Sequence, residues 1–308
     1  MATVPTPDVT AILDRVPGWN GRAHVVGTLD GGLTNRNVLV EVDGERCVVR
    51  IAGADTNLLG IDRNVERIAN ERAAALGFAA EVVAFVMPEC SLVTRFVEGE
   101  TLTSAQVADP GWLSQIGAAL RAFHESGPLP GDFDCFLVPG QHREAAMSRD
   151  VPIPHEYEHA ARCAAEIEAA FGASPELRRP CHNDLLAANF IGSGDGGRLV
   201  ILDWEYAGMN DRYFDLGNLA TNNGLDEDAE RMLLEQYFGS VTSRSRARLA
   251  LMKIMSDFRE AMWAVVQQGI STLDVDYVEY AGSHFERLLA NASAPGYRRL
   301  LADAAADQ

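Results

Sequence analysis

The sequence has too little positive charge for a protein that binds nucleic acid. Its 26 Lys and Arg residues are outnumbered by 44 Asp and Glu residues, which gives a formal net charge of −18. General nucleic-acid binding needs a basic surface, and an anionic membrane surface attracts basic rather than acidic segments. The acidic excess favours solubility and is compatible with a cationic small-molecule partner.

Long apolar runs and paired cysteines are also missing. No apolar run approaches 18 residues, and residues 1–10 lack the basic and then apolar order of a leader. The cysteines are scattered, odd in number and without a CxxC pair, at Cys47, Cys90, Cys135, Cys163 and Cys181. This usage indicates reduced thiols and no zinc site. We therefore expect a cytoplasmic protein without stable membrane insertion.

What the sequence does contain is a change of pattern near residue 98. Strands are predicted before it at 24–29, 38–42, 46–51, 81–86 and 91–96, with a short helix at 8–16 and a longer one at 61–76. Helices are predicted after it at 112–125, 155–171, 225–238, 244–268 and 274–291, and residues 127–154 are expected to form a long loop. The pattern predicts an α+β protein with a small antiparallel-sheet lobe, residues 1–98, and a larger helical lobe, residues 99–308.

The segment from His182 to Asn189, followed by an apolar run that ends at Asp203, has the spacing of a phosphoryl-transfer site. In kinases a catalytic-loop Asp accepts the proton of the substrate hydroxyl. An Asn five positions later and an Asp after the next strand hold metal. Asp184, Asn189 and Asp203 match these positions, and their oxygen atoms suit Mg²⁺. Each residue alone could be a turn cap or a strand-end acid, but the three in register favour the catalytic interpretation.

The N-terminal part contains weaker signals for phosphate binding. The turn 30–35 has two glycines, which let backbone N–H groups approach a phosphate, although paired glycines also serve as ordinary turn residues. Arg50 ends the third strand, where kinases place a phosphate-contacting Lys, and its planar fork suits phosphate. Glu66 on the following helix is the expected partner of Arg50, with Glu71 as the alternative.

Two further residues have open interpretations. Asp215 could brace the catalytic loop by accepting main-chain N–H bonds, or it could cap the helix that follows Arg212. His124, near the C-terminal end of a predicted helix, could be catalytic or could simply favour that helix terminus.

Taken together, these segments resemble the choline/ethanolamine kinase family, which belongs with aminoglycoside phosphotransferases to a wider group. The resemblance covers roughly residues 24–291. It rests on Gly31 to Asn35, Val49 to Ile51, Ile61 to Glu66, His182 to Asn189, Asp203 to Tyr206, Phe214 to Asn218, Trp263 and Tyr277 to Ala281.

The resemblance implies a two-lobed protein-kinase-like fold and an ATP- and Mg²⁺-dependent O-phosphotransferase. It implies that Thr34 and Asn35 lie in the loop that covers the phosphates. It also implies that the connector with Phe96 and Val97 holds the adenine through backbone groups.

The family pattern also implies an aromatic box for a quaternary ammonium, which offers no N–H donor and binds ring faces at about 0.5–2 kcal/mol per ring. The implied substrate residues, besides Asp184, are Glu205, Tyr206, Asn222, Glu260, Trp263, Tyr277 and Tyr280. The alternative is that the rings form a helix–helix core.

Two positions depart from the family pattern: Asn222 replaces an acidic residue and Glu260 replaces a second Trp. Choline is the expected substrate, but ethanolamine, another amino alcohol, an amino sugar and an aminoglycoside stay open. So does an inactive member that binds ATP or a metabolite. The oligomeric state is not indicated.

Overall fold

The computed structural model of the chain describes residues 9–29, 35–53, 56–193 and 197–306. Its first part contains, in chain order, α1 (Val9–Leu13), β1 (His24–Leu29), β2 (Asn35–Val42), β3 (Glu45–Ala52), α2 (Arg63–Ala75), β4 (Val82–Val86) and β5 (Ser91–Arg95). The five strands form an antiparallel sheet in the order β1-β2-β3-β5-β4.

The sheet forms because β2 and β3 alternate between buried and more exposed side chains. Val38 pairs with Val49 and Val40 pairs with Cys47, and all four are fully buried. Such alternation is the pattern of a sheet with one face on a core. These side chains pack with α1 in a small core of their own. Arg50 lies in β3 between two residues of this core, Val49 and Ile51.

Helix α2 connects this sheet to the rest of the molecule. Asp62 caps it by accepting hydrogen bonds from the backbone N–H groups of Asn64 at 2.9 Å and Val65 at 3.2 Å. Its buried residues, including Val65 and Ala69, belong to the larger core formed by the C-terminal part of the chain, not to the core of the sheet. The predicted lobe boundary between residues 98 and 99 stays a prediction.

The second part is mainly helical. It contains β6 (Glu100–Thr101), α3 (Ser104–Val107), α4 (Pro110–His124), α5 (Val138–Met147), α6 (Tyr157–Ala173), β7 (Arg179–Cys181), β8 (Phe190–Gly192), β9 (Leu199–Ile201), β10 (Gly208–Asn210), α7 (Arg212–Asn222), α8 (Glu227–Phe238), α9 (Ser243–Ile270), α10 (Tyr277–Ala292) and α11 (Tyr297–Ala305). Helix α9 has 28 residues and is buried on nearly all sides, because α5, α7, α10 and α11 pack around it.

The order of strands followed by helices confirms the predicted α+β class. The prediction of a long loop at 127–154 is wrong, because α5 occupies its middle. Pro139 in the first turn of α5 marked the helix start. Helix α11 was also missed, since the last predicted helix ends at residue 291. In the described ranges, no helix is long and apolar enough to cross a membrane.

The close packing of α7 on α9 generates a stability prediction. A Cβ added to Gly217 in α7 would lie 2.7 Å from the backbone carbonyl carbon of Met252, whereas a Cβ on Gly172 in α6 would meet nothing within 4 Å. We expect Gly217→Ala to lower the free energy of unfolding by about 1–3 kcal/mol through overpacking. The matched Gly172→Ala should leave it unchanged or raise it by up to about 1 kcal/mol. Urea unfolding of both variants tests this, and equal midpoints would contradict it.

Candidate active site

The predicted catalytic loop, residues 182–189, lies between β7 and β8, and a buried carboxylate braces it from beneath. Asp215 accepts hydrogen bonds from the backbone N–H groups of His182 at 2.8 Å and Asn183 at 2.7 Å. The helix cap of α7 is Asp211, which accepts from Tyr213 N at 2.8 Å. Of the two interpretations of Asp215, the structure therefore shows the brace.

His124 belongs to the same brace. It is buried at the end of α4 and hydrogen bonds through Nε2 to Asp215 at 2.9 Å and through Nδ1 to the Tyr237 hydroxyl at 2.6 Å. Both ring nitrogens are used in these contacts, which hold the carboxylate that holds the loop. The geometry gives His124 a structural role.

Asparagine side chains complete the support of the loop. Asn183, with a φ of 68°, donates to the backbone oxygen of Tyr206 at 2.9 Å. Asn218 accepts from Leu185 N, and Asn223 donates to Leu185 O at 2.9 Å. Sequence reasoning missed Asn223 and chose its neighbour Asn222.

The three predicted chemical residues are brought together at this loop. The Asn189 amide nitrogen donates to the backbone oxygen of Asp184 at 2.8 Å, which leaves the amide oxygen as the atom that could bind a metal. Leu202 N donates to Asn189 O at 2.8 Å and joins the end of β9 to the loop. Asp203 follows directly in the left-handed region, with a φ of 60°, a conformation that Asp tolerates better than most residues.

The carboxyl groups of Asp184 and Asp203 both have pKa values above the usual range of an Asp side chain. Burial raises the pKa of Asp184 to about 7, although the Arg259 guanidinium acts to lower it. Desolvation and the nearby Glu205 raise the pKa of Asp203 to about 6 against the opposing effect of Arg50. Two carboxylates whose pKa values are raised by burial, next to an amide oxygen, form a donor set that suits a hard cation such as Mg²⁺.

Arg50 lies between the sheet and the catalytic loop. It forms ion pairs with Glu66 and with Asp203. Glu71 instead pairs with Arg67 at 2.7 Å, so the partner of Arg50 is Glu66 and not the alternative. The guanidinium group also shows that a cation is accommodated beside Asp203.

Arg63, which sequence reasoning missed, joins two more of the predicted residues. It pairs with Glu66 at 2.7 Å and with Glu205 at 3.2 Å. Asn35 donates to Glu205 at 2.8 Å and accepts from Arg63 at 3.0 Å. Asn35 therefore belongs to this polar network, while Thr34 lies outside the described residues. The position of Arg63, three residues before Glu66, was the available signal.

The predicted aromatic residues form one cluster between α9, α10 and the segment after Asp203. The Trp263 indole donates to the Tyr206 hydroxyl at 3.0 Å. The Trp263 ring centroid lies 6.0 Å from those of Tyr277 and Tyr280. The Tyr280 hydroxyl donates to Glu260 at 3.2 Å, which places a buried carboxylate at the edge of the cluster.

Arg259 is the most consequential residue that sequence reasoning missed. It is buried in α9, donates to Asp184 at 3.0 Å and to Glu260 at 2.7 Å, and lies 4.3 Å from the centroid of the Tyr206 ring. It thus connects the catalytic loop to the aromatic cluster. The signal was an Arg–Glu pair directly before the apolar stretch 261–266 of α9.

Two predicted assignments are not connected to this centre. Phe96 and Val97 line a cavity of about 680 Å³ together with α2 residues and Val200, and none of the predicted catalytic residues lines it. The Asn222 amide nitrogen is buried with no hydrogen-bond partner in the described part of the chain. Their roles in adenine and substrate binding stay predictions.

The model of the phosphotransferase enzyme family matches residues 26–251, which is most of the chain. The chain therefore belongs to this family. Kinases use a catalytic-loop Asp, metal-binding Asn and Asp residues and a Lys–Glu ion pair for phosphoryl transfer. This chain has Asp184, Asn189 and Asp203 together, and an Arg50–Glu66 ion pair. Within the class it is a kinase of the choline/ethanolamine kinase type, which phosphorylates an alcohol group.

Three comparisons support this placement. The protein LicA of Haemophilus influenzae is 31% identical over 220 residues, covering 67% of this chain and 61% of LicA. Ethanolamine kinase 2 of Mus musculus is 28% identical over 305 residues, covering 88% of this chain and 77% of that protein. The crystal structure of the choline kinase LicA from Streptococcus pneumoniae aligns with a TM-score of 0.74 and 26% identity. The alignment covers 86% of this chain and 94% of that chain.

The brace generates a prediction. Asp215→Asn replaces an acceptor by an amide that cannot accept all three buried hydrogen bonds. We expect it to lower the free energy of unfolding by about 1–3 kcal/mol and to lower turnover by displacing the loop. The control Asp211→Asn should change stability by less than about 0.5 kcal/mol, because Asn caps a helix as well as Asp. Denaturant unfolding and steady-state turnover of both variants measure this, and equal behaviour would contradict the brace.

Proposed function

We propose that the protein is an ATP- and Mg²⁺-dependent kinase that phosphorylates the hydroxyl group of choline, giving phosphocholine and ADP. The observation that carries this proposal is that α9 contacts both the aromatic cluster and the catalytic loop. Trp263 contacts Tyr206 in the aromatic cluster, and four residues earlier Arg259 contacts Asp184. A place for an organic cation and a proton-accepting carboxylate are thus adjacent.

Each residue has a specific role in this proposal. Asp184 orients the substrate hydroxyl and accepts its proton as the oxygen attacks the γ-phosphate. Arg50, held by Glu66, contacts the phosphates. Asn189 and Asp203 would hold Mg²⁺, which neutralises phosphate charge when it is bound. The connector with Phe96 and Val97 would hold the adenine.

The charge of the site supports a cationic substrate. In the described part of the chain, three guanidinium groups, from Arg50, Arg63 and Arg259, face five carboxylates, which is an excess of two negative charges when all five are ionised. The carboxylates are those of Glu66, Asp184, Asp203, Glu205 and Glu260. Negative potential in a cleft attracts cations, and the S. pneumoniae LicA structure is that of a choline kinase. The net charge of the chain and its unpaired cysteine pattern support action in the cytoplasm, with a small molecule as partner.

Ethanolamine is a second candidate, and one observation favours it. Glu260 has an exposed fraction of 2% and stands at the place where the family pattern has a second Trp. A carboxylate accepts hydrogen bonds from a primary ammonium, whereas a quaternary ammonium has none to donate. The murine relative is an ethanolamine kinase.

A substrate panel tests the proposal. ADP release with Mg·ATP is measured against choline, ethanolamine, glucosamine and an aminoglycoside, with Asp203→Ala as the control. We expect the largest kcat/KM with choline and loss of turnover in the variant. A preference for ethanolamine would support the proposed catalytic residues but would show that the substrate is ethanolamine, not choline. No turnover with any amine would overturn the proposal.

The role of Asp184 generates a separate prediction. We expect Asp184→Asn to lower kcat by about 10²–10⁴, the range for loss of a positioned general base. Binding of Mg·ATP, measured by calorimetry, should stay close to that of the wild type because Asp184 is not among the proposed metal ligands. Near-normal turnover by a folded Asp184→Asn variant would remove Asp184 from the mechanism.

A further inference from the structure

We propose that Arg259 is a specificity-determining residue that acts as a resident cation of the substrate site. Its guanidinium group takes the face of Tyr206 and one oxygen of Glu260. The substrate ammonium is therefore left with the other oxygen of Glu260 and the rings of Tyr280 and Trp263. This inference rests on the proposed function and adds what limits the affinity for an amino alcohol.

The first argument is the position of the guanidinium group. An organic cation gains most from a ring face combined with nearby carboxylates. Arg259 already has all of these: the Tyr206 ring at 4.3 Å, Glu260 Oε1 at 2.7 Å and Asp184 Oδ1 at 3.0 Å. A substrate ammonium and the Arg259 side chain therefore compete for one set of partners.

The second argument is that this charge is permanent. Burial by itself lowers the pKa of Arg259, but the carboxylates of Glu260 and Asp184 outweigh it and hold the pKa above its usual range. The side chain is 1% exposed, so solvent screens it little. Any cationic substrate thus meets a fixed positive charge that repels it.

The third argument is how the side chain is held. Only Nη1 makes the two ionic contacts, while Nε and Nη2 are buried without a hydrogen-bond partner among the residues that the structure describes. The placement of Arg259 is therefore set by the acidic groups of the site and by Tyr206.

The fourth argument is the part of the cluster that stays open to a substrate. Among the residues that the structure describes, Glu260 Oε2 accepts one hydrogen bond, from the Tyr280 hydroxyl at the longer distance of 3.2 Å. Tyr280 is partly exposed, unlike the buried Tyr206 and Tyr277. The ammonium group consequently approaches from the side of α10, with the hydroxyl directed towards Asp184.

A fall in both kcat and KM is expected from this arrangement when the charge of Arg259 is removed. Removing the positive charge frees Tyr206 and Glu260 for the substrate cation, so KM for cationic alcohols falls. The same change removes the contact that positions Asp184, so kcat falls as well. Loss of a purely structural side chain would not lower KM.

The experiment compares Arg259→Met, which keeps the length of the side chain without its charge, with the wild-type enzyme. The substrates are choline, ethanolamine and 3,3-dimethylbutan-1-ol, the uncharged isostere of choline. We expect KM for choline and ethanolamine to fall by about 2- to 30-fold, the range set by one cation–π contact. KM for the uncharged alcohol should not fall, and kcat should fall for all three.

Matched variants separate this effect from a loss of stability. Arg248→Met removes a fully buried Arg from the same helix, one that stacks on Phe171 outside the site at 4.4 Å, and should leave every KM unchanged. Arg259→Lys keeps the charge and should restore the wild-type KM for cations. Arg259→Gln replaces Arg259→Met in the comparison if the latter does not fold.

The outcomes distinguish the two proposals. An unchanged or raised KM for choline in folded Arg259→Met, with an active wild type, would overturn the role of Arg259 and leave the proposed function standing. An equal fall in KM for the uncharged alcohol would also overturn it, because charge would not be the cause. A wild type that phosphorylates no amino alcohol would overturn the proposed function, and the role of Arg259 with it.

Discussion

Five carboxylates share one largely buried site, and such groups stay ionised only when opposite charges lie beside them. Arg50, Arg63 and Arg259 supply those charges, and each arginine bridges two carboxylates. The bridges also cross the molecule. Arg50 extends from the sheet to Asp203, Arg63 from α2 to Glu205, and Arg259 from α9 to Asp184. The alignment of the sheet with the catalytic loop therefore depends on this network of paired charges.

A second set of contacts gives the loop its shape. Asp215 accepts hydrogen bonds from two backbone N–H groups and is hydrogen bonded to His124. The side chains of Asn218 and Asn223 form hydrogen bonds with the backbone of Leu185. These groups are buried, so each unmade hydrogen bond would cost about 1–3 kcal/mol. The loop is thus preorganised by the protein itself, and this leaves the side chains of Asp184 and Asn189 directed into the site. Preorganisation of this kind is what positions reacting groups in enzymes.

Each half of the candidate site contains an arginine where a cation of the proposed reaction would bind. The phosphate and metal half already contains a cation beside Asp203, in the form of Arg50. The substrate half already contains a cation on Tyr206, in the form of Arg259. In the proposed function, Mg·ATP and an amino alcohol would bind beside these resident charges. The resident charges hold the acidic site in shape before its ligands arrive.

The sequence by itself predicted the strands of the sheet, most of the longer helices and the residues of a candidate phosphoryl-transfer site. Strand alternation in 38–51, the helical period of 244–268 and the spacing of Asp184, Asn189 and Asp203 are local properties, readable from neighbouring residues. It could not decide between Glu66 and Glu71, or between a brace and a cap at Asp215, because both members of each pair satisfy the same local rules. It missed Arg63 and Arg259 for the same reason. From the sequence alone, a charged residue in a helix is expected to face solvent. The tertiary structure packs α2 against the segment after Asp203 and α9 beneath the catalytic loop. This packing buries Arg63 and Arg259 among carboxylates and so decides what they do.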